Sequence, residues 1–353
     1  MRRKRDGRHQ SHASEIVNRA PLSPVPSPAA GPKLGHSGVG SSAKLRTMCA
    51  SVAPALALCV AVSLSCTVTS SSSKPYSLGL AAQYPADKDL TKDPDVLYFG
   101  DFESASWYAE WGNTSKPENA DLVEADTQRL FVPFQGRALR VRIVKESNVG
   151  LSSEYRFALH SAGEPEEIYF RYYLRFADDW RPIEGGKLPG PAGTYGVAGW
   201  GGRRSDGTNG WSARGSFSIP QNGVTPIGFY AYHADQPTEY GDVWEWERRR
   251  LGYLRNNRWY CVEQYVRLNG PSRRDGILRG WIDGQLAFEK TDVRFRTVDA
   301  LKIETIWMNV YHGGSDVAVR DHHLYVDNVI IARRYIGPMN RGMPTVEPKS
   351  NLK

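Results

Sequence analysis

Glu167–Phe176 reads EIYFRYYLRF. Ile168, Phe170, Tyr172, Leu174 and Phe176 alternate with Tyr169, Arg171, Tyr173 and Arg175. A period of two puts the first set on one face of a strand and the second on the other, which is the pattern of a strand with one face in a core. Runs of the same kind flank it. Val96–Phe99 is followed by Gly100 and Asp101, and Ala138–Val144 reads ALRVRIV. Further on come Trp259–Leu268, Leu278–Ile282, Ile303–Tyr311 and Leu324–Ala332. Asp283-Gly284 within WIDGQLAF is a two-residue hairpin signal between two strands. No stretch has a long amphipathic helical period. Short strands separated by Gly, Pro, Asn and Asp predict an all-β sandwich or jelly roll, and roughly 240 residues suit a single domain of that kind.

The N-terminal part has a different character. Residues 1–66 carry nine Lys and Arg against two Asp and Glu, which accounts for the whole net charge of +7. The body is therefore neutral. It lacks the domain-wide basic balance of a nucleic-acid binder, and any cationic site in it must be local. Residues 1–47 are rich in Arg, Ser, Pro and Gly and read as disordered or as an over-extended N-terminus, with Met48 a sensible start. Residues 48–66 read as a signal peptide. Lys44 and Arg46 precede the apolar run ASVAPALALCVAVSL at Ala50–Leu64, which is too short to span a bilayer. The LSC that ends at Cys66 has the look of a lipoprotein signal, so the chain is expected to be exported, either secreted or lipid-anchored at the cell envelope through Cys66. Residues 67–92 are expected to form a polar linker, 93–340 the jelly-roll domain and 341–353 a tail. Only Cys261 lies in the body, which excludes a disulfide framework or a cysteine metal site there.

The sequence has no G-x-S-x-G elbow, P-loop, dinucleotide fingerprint or H-E-x-x-H. Three segments carry chemistry instead. Gly185-Gly186-Lys187-Leu188-Pro189-Gly190 fixes one ammonium among turn-forming residues; taken alone, it also fits a solvated loop lysine. In Trp211–Phe217 (WSARGSF), Ser212, Arg214 and Ser216 share one strand face, whereas Trp211, Ala213 and Phe217 share the apolar one. In Gly228–His233 (GFYAYH), Tyr230 and Tyr232 project together, as a packing pair or as a reactive one.

Together these groups suit β-elimination from a uronic acid. A base must remove the C5 proton, which is scarcely acidic until the neighbouring carboxylate is neutralised, and the leaving oxygen at C4 needs a proton. Arg grips carboxylates, and Tyr or Lys moves protons once neighbours shift its pKa.

GGKLPG, WSAR and YAY, in this order and spacing, resemble the catalytic strands of polysaccharide lyase family 14, which includes alginate and glucuronan lyases. Gly252 with Arg258-Trp259, Val266-Arg267-Leu268-Asn269, Asp275-Gly276, Trp281-Ile282-Asp283-Gly284, Val326–Ile330 and Tyr335–Pro338 extend the likeness over roughly Asp95 to Pro338. The resemblance implies a concanavalin-A-like jelly-roll sandwich of two antiparallel sheets, with a cleft lined by Lys187, Ser212, Arg214, Tyr230 and Tyr232. It implies that Tyr232 or Lys187 takes the C5 proton with Tyr230 as partner, while Arg214 and Ser212 hold the carboxylate. Gly215 stands where the family usually has a larger residue, and no His lies between Lys187 and Ser212.

Arg171, Tyr173, Asn309 and Tyr311 are candidate substrate-binding residues, as is Trp307, because they lie on strand faces turned away from the apolar set. Glu245 and Glu247 in DVWEWE would suit a jelly-roll glycoside hydrolase, and a non-catalytic glycan-binding module would use the same strands. His322-His323 reads as a surface turn. The expected partner is an acidic polysaccharide; no cofactor, metal or nucleic acid is called for.

Overall fold

The computed structural model describes residues 78–160 and 163–341. The disordered start, the signal peptide, Cys66, the first part of the linker and all but Arg341 of the tail lie outside them.

The first strands in chain order are β1 (Val96–Gly100), β2 (Gly112–Ser115), β3 (Ala120–Val123), β4 (Ala138–Ile143), β5 (Val149–Arg156) and β6 (Glu167–Phe176). Next come β7 (Gly186–Leu188), β8 (Gly190–Gly193), β9 (Trp211–Phe217), β10 (Val224–Tyr232), β11 (Asp242–Glu245) and β12 (Tyr253–Arg255). The last are β13 (Tyr260–Arg267), β14 (Gly276–Ile282), β15 (Gln285–Val293), β16 (Thr305–His312) and β17 (His322–Ala332). They form two antiparallel sheets. The back sheet runs β15-β14-β13-β6-β17-β4-β3, with β1 on β17. The front sheet runs β11-β10-β9-β7-β16-β5-β2, with β8 beside β16 and β9 and β12 on β10.

The core is the layer between the sheets. Ile168, Phe170, Tyr172, Leu174 and Phe176 of β6 are all buried in it, as their alternation predicts. From the front sheet, Trp211, Ala213, Phe217, Phe229, Ile306, Met308 and Val310 meet them. Ring contacts knit the layer, with Trp180 edge-on to Phe217 at 4.9 Å and Trp211 on Phe295 at 4.9 Å. Each such fully buried side chain contributes about 1.5–3 kcal/mol. With the odd residues of β9 and β16's even ones spent on the core, their alternate residues must face outward from the front sheet.

Part of the outward face of the back sheet is covered as well, and this corrects the linker boundary. Residues 78–92 form three 3-10 turns, at Leu80–Gln83, Pro85–Asp87 and Leu90–Lys92. Leu80, Ala81 and Leu90 pack with Ile330, Ala332 and Ile336. The backbone N–H groups of Leu80 and Ala81 donate to the carbonyls of Tyr335 and Ile336 at 3.0 and 2.9 Å. Under this strap lies Arg171, fully buried and ion-paired with the equally buried Asp87. One of its N–H groups also donates to the Gly337 carbonyl at 3.0 Å. His322 and His323 are likewise no surface turn: they open β17 and are 0% and 2% exposed. Successive strand residues point to opposite faces, so one imidazole goes inward, near Trp180, and the other pairs with Asp179 at 2.7 Å.

Removing Asp87 leaves a buried guanidinium without its carboxylate. Asp87→Ala is expected to cost about 3–5 kcal/mol of unfolding free energy. Urea denaturation measures this, and a loss below 1 kcal/mol would show that the strap does not anchor the back sheet.

Candidate active site

Four front-sheet strands assemble the site. In the register of β16, β7 and β9, Tyr311 lies opposite Lys187 and Lys187 opposite Ser216. Between β9 and β10, Arg214 lies opposite Tyr230 and Ser212 opposite Tyr232. Side chains that sit opposite one another on a sheet face lie within contact range, so four separate segments converge. The structure thus brings Lys187, Arg214, Tyr230, Tyr232, Trp307, Asn309 and Tyr311 into one cleft of about 950 Å³.

The glycines beside Lys187 act through space rather than through turning. Lys187 lies on a short strand, and a Cβ on Gly186 would sit 2.1 Å from the Tyr311 carbonyl oxygen and 2.2 Å from the Phe217 ring. Only glycine lets β7 lie this close between β16 and Phe217. The same holds for Gly215, where a Cβ would meet Leu188 Cβ and the Pro189 carbonyl oxygen at 2.9 Å each. That packing accounts for the missing larger residue after Arg214.

Lys187 Nζ lies 3.7 Å from the centroid of the Tyr230 ring. Burial, and then the Arg214 guanidinium beside it, push the amine down to about 7. Arg214 is 5% exposed, and burial pushes it down to about 10, so it remains charged near neutrality. Its guanidinium lies over Trp307 at 4.6 Å and donates to Asn309 Oδ1 at 3.0 Å. Among the described residues, neither cation has an ion-pair partner. Tyr230 and Tyr232 meet edge to face, with centroids 5.6 Å apart. Burial, and then Tyr232, hold the Tyr230 phenol well above its usual range, so it keeps its proton. Burial also raises the Tyr311 phenol. Among the described residues no group of three or more His, Cys, Asp or Glu is placed to hold a metal ion.

Three expectations are corrected. Ser212 shares the parity of Arg214 but does not line the cleft. It is fully buried, and its Oγ donates to the Gly199 carbonyl at 2.7 Å, which ties down the loop that precedes Trp200. Arg171 and Tyr173 lie on the back sheet, remote from the cleft in the fold. Arg171 is spent on Asp87, and Tyr173 stacks on Phe134 at 3.8 Å and accepts the Met339 N–H at 2.8 Å. Glu245 and Glu247 do not form a carboxylate pair on a strand. β11 ends at Glu245, which accepts from Ser218 Oγ, and Glu247 starts the 3-10 turn that follows. Sequence reasoning also missed Trp200 and Tyr240, which line one end of the cleft. The Gly201-Gly202 pair beside Trp200 is a two-residue turn signal that could have found them.

The family model for Polysaccharide lyase 14 matches residues 132–328, more than half of the chain and all of these site strands. The chain belongs to polysaccharide lyase family 14. As a family 14 polysaccharide lyase it is a carbon–oxygen lyase acting on polysaccharides. Solved structures agree in fold. A double mutant of alginate lyase Aly36B, in complex with an alginate trisaccharide, is 24% identical, with 65% of this chain and 90% of that one covered and a TM-score of 0.53. The marine PL-14 alginate lyase from Aplysia kurodai is 17% identical (67% and 99% covered, TM-score 0.51). Alginate lyase vAL-1 from Chlorella virus is 16% identical, with the same coverage and TM-score. At these identities the likeness is one of fold. No curated protein matches the chain.

Ser212→Ala in this lyase leaves the buried Gly199 carbonyl without its donor. The expected cost is about 1–3 kcal/mol of stability, read by urea denaturation; an unchanged midpoint would mean that the Ser212–Gly199 bond holds nothing.

Proposed function

We propose that this lyase cleaves a uronate-containing polysaccharide of alginate or glucuronan type by β-elimination, with Lys187 as base. The observation that carries the reading is the pair of basic side chains, Lys187 and Arg214, set together in the cleft with no ion-pair partner among the described residues. A buried cation without an anion is costly, and a uronate carboxylate supplies the anion where Arg214 points.

The step balances as follows. Arg214, oriented by Asn309 and stacked on Trp307, takes the substrate carboxylate and neutralises the charge that makes the C5 proton inert. The neutral amine of Lys187 removes that proton. The electron pair forms the C4=C5 bond, the C4–O bond breaks, and the leaving oxygen takes the proton of Tyr230. Tyr232 positions Tyr230. A base with a pKa near 7 is matched to work at neutral pH, where an ordinary lysine is protonated.

The purified chain, offered polymannuronate, polyguluronate and polyglucuronate, is expected to release a product absorbing near ~235 nm, as an alkene conjugated to a carboxylate does. Lys187→Ala is expected to lower kcat by about 10²–10⁴-fold. Because only the unprotonated amine acts, log kcat/KM climbs with pH up to about 7 and then levels off. Reducing ends formed without that absorbance, or a rate indifferent to Lys187, would contradict the reading.

A further inference from the structure

One residue of β13 breaks the apolar pattern of its core face. Val262, Gln264 and Val266 alternate toward the layer between the sheets, and both valines are fully buried there. Gln264 is buried with them, 1% exposed. Its Nε2 donates to the Pro189 carbonyl at 2.8 Å, across the core from the back sheet to the front one. Its Oε1 has no partner among the described residues. An orphaned buried acceptor is destabilising, and an apolar side chain of similar volume would leave no such acceptor behind. Stability alone gives little reason for an amide at this place.

The Pro189 carbonyl is a junction. It lies between β7, which carries Lys187, and β8. It also accepts the Gly215 N–H at 3.2 Å, and Gly215 follows Arg214 in β9. One carbonyl thus ties the strand of the lysine to the strand of the guanidinium, and Gln264 ties that junction to the back sheet. The space around it is tight. A Cβ on Gly190 would lie 2.7 Å from Arg214 Cα and 2.8 Å from Gln264 Oε1, and one on Gly215 would lie 3.2 Å from Gln264 Nε2. The amide therefore sits directly behind the backbone at Arg214. The buried phenol of Tyr172 lies beside it.

We propose that Gln264 is a positioning residue for the elimination: by holding the Pro189 carbonyl it fixes β7 against β9, and so sets the spacing of Lys187 and Arg214. It touches no substrate. The inference rests on the reading of Lys187 as base and extends that reading through the core to the back sheet. Without the Gln264 bond, β7 is held by the front sheet alone. A lysine that drifts from Arg214 meets more water and less of the guanidinium's charge, and both changes favour its ammonium form.

The test is the pH profile of kcat/KM for the full chain carrying Gln264→Met, which keeps the volume and removes the donor. The parent's profile has its midpoint at about 7. In Gln264→Met the midpoint is expected to move up by about one pH unit, so that activity below it falls about tenfold and returns at high pH. Lost packing alone lowers the amount of folded enzyme and leaves the midpoint where it was. Tyr172→Phe, which alters the adjacent phenol and keeps Gln264, is expected to leave it there. Gln264→Asn keeps an amide but falls one methylene short of Pro189; it is expected to behave as the Met chain does, and it decides the matter if that chain does not fold. A midpoint equal to the parent's in a folded Gln264→Met or Gln264→Asn chain, or one that moves as far in Tyr172→Phe, overturns the positioning role and leaves the lyase reading intact. If neither Gln264 variant folds, NMR of the parent decides: a Gln264 side-chain amide that follows the Lys187 titration supports the link, and one that stays fixed overturns it. A parent chain that forms the unsaturated product with no midpoint near 7 overturns the reading of Lys187 on which the inference rests.

Discussion

Lys187 and Arg214 are two like charges set side by side in a low-dielectric cleft, and most of the site's behaviour follows from that placement. Taking an ammonium out of water favours its neutral form, and a guanidinium beside it favours that form further. Of the two groups, Arg214 has the higher intrinsic pKa, so it keeps its charge and Lys187 gives up its proton. One cation and one largely neutral amine result from a pair of basic residues. The Tyr230 ring at 3.7 Å opposes this, because an aromatic face favours the ammonium. In the proposed reaction, the same ring steadies the ammonium once Lys187 has taken a proton.

The scaffold exists to hold this arrangement in place. β7 presents Lys187 on a strand rather than on a free loop, and the absence of a side chain at Gly186 lets that strand press against β16 and Phe217. The core residues of β9, β10 and β16 fix the pitch of the sheet, so their alternate residues have little freedom. Behind the sandwich, the strap of residues 78–92 and the Asp87–Arg171 pair cover part of the second outward face. A sandwich has two such faces. Here the chain itself covers part of one, and the other carries the open cleft.

That division explains what could be read in the sequence. The alternation in EIYFRYYLRF gave the core face of β6 correctly, and the ordered motifs around Lys187, Arg214 and Tyr230 gave the cleft. Parity alone does not say which outward face is which. Arg171 and Tyr173 have the same local pattern as Trp307 and Asn309, and only the sheet order and the strap separate them. Ser212 and Arg214 share a face, but the turn carrying Gly199 and Gly202 roofs the first and spares the second, a contact between residues 13 apart. His322 and His323 looked like a turn because paired polar residues often are one; both are buried, one of them held by Asp179. Glu245 and Glu247 failed as a pair because β11 ends between them.

The account stands on a lysine that is neutral near physiological pH. NMR titration of the Lys187 side chain, assigned by its absence in Lys187→Met, measures this directly. The expected midpoint is about 7, moving upward when Arg214 is replaced by Met. A midpoint near 10, unmoved by that replacement, would mean that the two charges are not coupled and that Lys187 is not the base.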